Sequence, residues 1–169
     1  MKHVFAASLG ALLACAAVAH AARPSVRVDR EWLLPVEEGA APERVRDPRP
    51  AGATDALYTL RFRYEGEEPV NRLEIVQPMP VGLRYSPGSA TGPRAVITFS
   101  VDGGKTFDVP EALTIPVEGG EPRPATADDY THIRWELIGD FPPGLAGILS
   151  FRASAGPAVL ESVEDAQAK

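Results

Sequence analysis

Apolar and polar residues alternate in short runs along most of this chain. The clearest run is Leu57 to Tyr64, where Tyr58, Leu60, Phe62 and Tyr64 alternate with Thr59, Arg61 and Arg63. A period of two marks a strand with one buried face, here an apolar face backed by a basic, solvated one. Ser25 to Leu34 reads as a first strand with Val26, Val28, Trp32 and Leu34 on one parity; Arg30 interrupts that face, as on an edge strand. Val70 to Gln77 follows with Leu73 and Ile75 inward, and Pro78-Met79-Pro80 ends it, since proline cannot donate to a central ladder. Leu83 and Tyr85 precede a Pro87-Gly88-Ser89 turn, and Arg94 to Val101 is a strand with Ala95, Ile97, Phe99 and Val101 on one face.

Asp102-Gly103-Gly104 is a strong reversal signal, because aspartate and glycine tolerate positive φ. The chain then returns through Phe107 to Val117, and Gly119 to Asp129 is loop. Tyr130 to Leu137 is a strand with Ile133, Trp135 and Leu137 inward; Phe141 to Gly144 turns, and Ile148 to Ala153 is the last strand. The sum is about seven short strands without a core helix, which predicts an all-β, antiparallel sandwich. All 17 prolines lie after residue 21, which suits strands and turns and opposes long helices.

The first residues have another character. Lys2 supplies a positive start, Val4 to Val18 is apolar, and small residues follow. This is the anatomy of an export signal, with Ala19-His20-Ala21 or Ala17-Val18-Ala19 as the cleavage site. The apolar run is shorter than the roughly 20 residues of a membrane span, so no transmembrane segment is expected in the mature chain. Leu12-Leu13-Ala14-Cys15 loosely resembles a lipoprotein processing site, which would anchor the protein through a lipidated Cys15. Leu13 fits that site poorly, and the residues after Cys15 stay apolar where a polar tether is expected. The expected division is 1–21 signal peptide, 22–34 first strand and lead-in, 35–55 proline-rich loop, 56–155 sandwich body and 156–169 polar tail.

Removing the leader takes away the only cysteine and leaves about 148 residues, enough for one domain. The full chain carries a net charge of −6, which disfavours nucleic acid and anionic membrane surfaces as partners.

Four stretches together carry a family resemblance. They are Ala56 to Tyr64, Gln77 to Tyr85, Ser86 to Ala90, and Phe141-Pro142-Pro143-Gly144 leading into Gly147 to Phe151. The string from Pro80 to Ser89 reads P-x-G-L-x-Y-x-x-G-S. The chain resembles the conserved repeat domain of bacterial and archaeal surface proteins, the domain-of-unknown-function family numbered eleven, over roughly Ser25 to Ala155. It departs from that pattern around Glu65-Gly66, where an asparagine-glycine turn is usual, and in a longer proline-rich insertion before Ala56. The family often occurs in tandem, whereas this chain holds one copy. The resemblance implies an immunoglobulin-like sandwich, export and a role on or near the envelope; it implies no catalytic residues.

A second motif overlaps it. Ser100, Asp102, Gly104, Thr106 and Phe107 match the S-x-D-x-G-x-T-[WF] Asp-box of sialidase-like propellers. A propeller needs the motif in blade after blade, and one copy is expected to be a structural hairpin tip rather than a glycan site. His132 shares a solvent face with Arg134 and Glu136, and nothing in its spacing from serine or from Asp128 and Asp129 resembles a nucleophile elbow. Structural zinc wants Cys and His ligands, which are scarce here. No EF-hand spacing appears, and Glu37-Glu38, Glu67-Glu68, Asp128-Asp129 and Asp140 read as solvated loop residues. No metal, cofactor or catalytic residue is therefore expected. The expectation is an exported, non-enzymatic envelope module, periplasmic or secreted, partnered by an envelope protein or a glycan. The alternatives are a glycan-binding or glycan-processing domain, and a lipoprotein tethered through Cys15.

Overall fold

The computed structural model describes residues 22–34 and 40–155. The expected leader with Cys15, the residues 35–39 with Glu37 and Glu38, and the polar tail from 156 lie outside the described residues.

The described chain is all-β. Its strands are β1 (Ser25–Leu34), β2 (Glu43–Val45), β3 (Asp55–Arg63), β4 (Val70–Pro78), β5 (Leu83–Tyr85), β6 (Ala95–Ser100), β7 (Thr114–Ile115), β8 (Arg123–Pro124), β9 (His132–Phe141) and β10 (Ala146–Ala155). One sheet has the order β2-β1-β3-β10-β5 and another the order β4-β9-β6; β7 and β8 form a separate short pair. All strand pairings are antiparallel.

The core lies between the two larger sheets. Tyr58, Leu60, Phe62, Leu149 and Phe151 come from the five-stranded sheet; Leu73, Ile75, Phe99, Ile133, Trp135 and Leu137 come from the three-stranded one. Aromatic contacts tie the layers together, Trp135 to Phe151 at 6.0 Å and Tyr85 to Phe99 at 4.8 Å between ring centroids. Such tilted pairs add to the gain from burial alone.

The strand count of about seven becomes ten, because the three short strands β2, β7 and β8, of two or three residues each, carry no readable alternation. The proline-rich stretch is also more than a loop. Glu43–Val45 pairs with Trp32–Leu34 and continues the five-stranded sheet. Within β1, Val26 and Val28 are exposed while Trp32 is buried and Leu34 half-buried, so the strand's apolar parity is covered only at its C-terminal end; Leu33, on the opposite parity, is buried as well. Phe141 ends β9 rather than opening a turn, and it is buried. A register shift opposite Val70–Arg72 and Gly139 at φ +150° mark an irregularity in β9 just before it. β10 starts at Ala146, two residues before the expected Ile148. The expected return strand from Phe107 shrinks to a Phe99–Asp108 bridge and the two residues of β7.

The seven principal strands, lettered A to G in chain order, are β1, β3, β4, β5, β6, β9 and β10. Their sheets then read A-B-G-D and C-F-E. The constant immunoglobulin domain pairs A-B-E-D against C-F-G. The two-layer architecture is shared, with the fifth and seventh strands exchanged between sheets. Before β1 the chain crosses layers: the Ala22 N–H donates to Arg72 O at 3.3 Å, and the Glu74 N–H donates to Ala22 O at 2.9 Å.

Candidate functional site

β6 runs into the reversal that carries the Asp-box residues, and all five come together there. Ser100 is fully buried at the end of β6, and its hydroxyl donates to Asp102 Oδ1 at 2.7 Å. The same Oγ accepts the N–H groups of Gly104 at 2.9 Å and Asp102 at 3.3 Å. The Asp102 carboxylate accepts the Lys105 N–H at 3.0 Å, the Thr106 N–H at 3.0 and 3.1 Å, and the Thr106 hydroxyl at 2.7 Å. These bonds hold the Asp102 carboxyl far below the usual carboxylate range, with the Thr106 N–H and hydroxyl contributing most and the Ser100 hydroxyl next. Gly103 and Gly104 sit at φ +80° and +82°, the left-handed region that a side chain disfavours.

The turn is fastened to β9. Thr131 donates its N–H to Ser100 O at 2.8 Å and its hydroxyl to the same oxygen at 3.1 Å, while its Oγ1 accepts the Gly103 N–H at 3.1 Å. Thr131 carried no signal in the sequence beyond its place before His132. The His132 ring lies against Gly104, where an added Cβ would meet ring atoms at 3.2–3.3 Å. Phe107 folds back over β9 and receives the Arg134 guanidinium 4.6 Å from its ring centroid. Arg134 Nε in turn donates to Thr98 Oγ1 at 3.1 Å.

The other acidic candidates divide. Asp129 accepts the Thr126 N–H at 2.8 Å and the Thr126 hydroxyl at 2.9 Å, and it binds Arg123 through both oxygens at 2.6 and 2.8 Å. Arg123 is the main cause holding its carboxyl well below the usual range. Asp128 pairs with Arg84 at 3.4 Å. Glu67, Glu68 and Asp140 are exposed. His132 Nδ1 lies 3.2 Å from Thr131 Oγ1, and no group of three or more His, Cys, Asp or Glu side chains among the described residues is placed to hold a metal ion. An open cleft of about 380 Å³ lies between β5 and the short 3-10 turn Ala127–Asp129, lined in part by Arg84, Tyr85, Ser86, Thr126, Asp128 and Ser154.

A second cluster has no local signature in the sequence, where Arg30 only interrupts the apolar parity of β1. Trp32 lies between two guanidinium groups, Arg30 and Arg49, each 5.0 Å from its ring centroid. Its indole N–H donates to Asp47 Oδ1 at 3.0 Å, and Arg30 pairs with the same carboxylate. These bonds, the Trp32 one foremost, lower the Asp47 carboxyl. Arg49 Nε donates to Ala53 O at 2.8 Å, which closes the segment beneath the ring. The residues are 15 and 17 positions apart in sequence, beyond any local pattern.

No helix among the described residues is long and apolar enough to cross a membrane. No family model, no curated protein and no solved structure matches this chain.

Proposed function

We propose that this chain is an exported, non-enzymatic module of the cell envelope, periplasmic or secreted, with a structural or protein-binding role. The observation that carries the reading is the state of Asp102. Its carboxylate is filled by four donors from its own turn, so the one motif that suggested glycan chemistry is occupied in holding a hairpin. The basic-apolar-small order of residues 1–21 supports export, and the surface-protein resemblance of Pro80 to Ser89 supports an envelope setting. The test is expression of the full chain in a bacterium with a periplasm, followed by fractionation and intact-mass measurement. The expected product is unlipidated, begins between His20 and Arg23, and leaves the cytoplasm. Retention of the intact leader in the cytoplasm overturns the reading, and a lipidated Cys15 replaces it with an anchored lipoprotein.

A glycan-binding role is the second reading, and the open cleft beside Arg84 and Asp128 favours it. Polar groups converging on a concavity suit a sugar's hydroxyls. Loss of binding to envelope polysaccharide in Arg84→Ala would support it; an empty glycan array would end it.

A further inference from the structure

Among the described residues, the N-terminal half of β1 pairs with β3 on one side and is a sheet edge on the other. β2 covers only Trp32, Leu33 and Leu34, and among the described residues nothing pairs with the outer side of Ser25 to Asp29. Val26 and Val28 stand opposite Phe62 and Leu60 in the ladder, so they share the core-facing side of the sheet. Yet they are 40% and 41% exposed where Phe62 and Leu60 are 3% and 0% exposed. The apolar face of the five-stranded sheet therefore runs past its cover. Such an edge is a template for another strand.

The charges along this edge select the strand. On the outer face Arg27 lies directly opposite Arg61, a like-charge pair that costs stability. Arg63 adds a third guanidinium on the same face, and Asp29 is the one carboxylate that answers them, contacting both Arg27 and Arg61. A second β1 laid antiparallel on the first, about a twofold axis through Val28, sets Val28 against the partner's Val28 and Arg27 against the partner's Asp29, twice over. Shifting that register by two residues puts Arg27 on the partner's Arg27 or Asp29 on the partner's Asp29. A one-residue shift turns the valines to the wrong face. Only one register is both charge-complementary and face-matched. The course of the chain leaves room for it: at Pro24 it departs from the edge, and Ala22 is bonded to β4 in the other sheet. The residues before Ser25 therefore leave the lane in which the partner's β2 would lie.

We propose that the chain forms a symmetric dimer by β1-to-β1 pairing in this register. The pairing is isologous, as a twofold interface requires, and joins two five-stranded sheets edge to edge. It is a property of the folded body and stands apart from the export reading, which cell fractionation tests separately.

The experiment is sedimentation equilibrium on the full chain, purified as its host cell leaves it, with the monomer mass taken from the denatured protein. The expected result is a concentration-dependent dimer. Arg27→Asp and Asp29→Arg each place like charges across the axis and are expected to raise the dissociation constant about tenfold, ~1.4 kcal/mol. The double exchange R27D/D29R restores opposite charges at both sites and is expected to return the constant towards wild type. Circular dichroism melts of each variant, run alongside, separate loss of pairing from loss of fold. Amide exchange at Ser25 to Asp29 is expected to slow as concentration rises. A monomer mass at every concentration up to about 1 mM overturns the proposal. So does a dimer that both single exchanges leave unchanged, or a folded double exchange that stays as weak as the singles.

Discussion

The Ser100 hydroxyl donates to Asp102 at 2.7 Å while accepting the Gly104 N–H at 2.9 Å. One buried oxygen thus links the end of β6 to both arms of the turn that follows. Ser100→Ala removes the acceptor of two backbone N–H groups in a site that water does not reach. The expected cost is about 1–3 kcal/mol, measured by urea denaturation. Ser100→Thr keeps the hydroxyl and is expected to recover part of it. A neutral Ser100→Ala would mean the turn is held by Asp102 alone.

Acid should weaken this protein most through the two carboxylates that are lowered furthest. Asp102 and Asp129 are both held below their ordinary range by hydrogen bonds and, for Asp129, by Arg123. A lowered folded-state pKa means the contribution is fully present above the unfolded value of about 3.9 and is lost as pH falls towards the folded one. The melting temperature is therefore expected to hold down to about pH 4 and to fall below it. The double variant Asp102→Asn, Asp129→Asn is expected to start lower at neutral pH and to show a shallower acid limb. Parallel limbs in the two proteins would assign the acid loss to other groups.

Trp32 is expected to be the anchor of the segment after β2. It is 4% exposed and clamped by Arg30, Arg49 and Asp47. Trp32→Ala is expected to cost about 3–5 kcal/mol and to open trypsin cleavage at Arg46 before global unfolding. Trp32→Phe retains most of the packing and loses the bond to Asp47, so it separates the two contributions. Unchanged trypsin resistance in Trp32→Ala would show that the segment is held elsewhere.

Gly147 faces Phe62 in the β3–β10 ladder, where an added Cβ would lie 2.6 Å from the ring. Gly147→Ala forces the ring to move inside a packed core, at an expected cost of about 1–3 kcal/mol. Phe62→Leu makes space, so the double variant should be less destabilised than the sum of the singles. Strict additivity in that cycle would remove steric overlap as the cause.

Much of the fold was legible because its long strands bury one face only. Tyr58, Leu60, Phe62 and Tyr64 alternate in the sequence and are buried in the structure. Ile133, Trp135 and Leu137 do the same on β9. The Asp-box turn was legible too, since its side chains bond within seven residues of chain. The partners that complete it were not, because Thr131 and His132 arrive from β9, about 30 positions later. The Trp32 cluster stayed hidden for the same reason, since Asp47 and Arg49 reach Trp32 from beyond β2, 15 or more positions later.

The sequence by itself determined the all-β class, the inward residues of β3, β4 and β9, and the chemistry of the Asp102 turn. Each depends on neighbours a few residues apart, and a period of two fixes a strand's faces wherever the strand is placed. Tertiary structure alone decided which strands are neighbours. It placed β10 rather than β6 beside β3, sent Ala22 across to β4, and left the outer side of Ser25 to Asp29 without a pairing strand among the described residues. Alternation assigns a residue to a face and says nothing of which strand lies alongside. That choice rests on contacts between segments far apart in the chain, where the whole core must be packed at once.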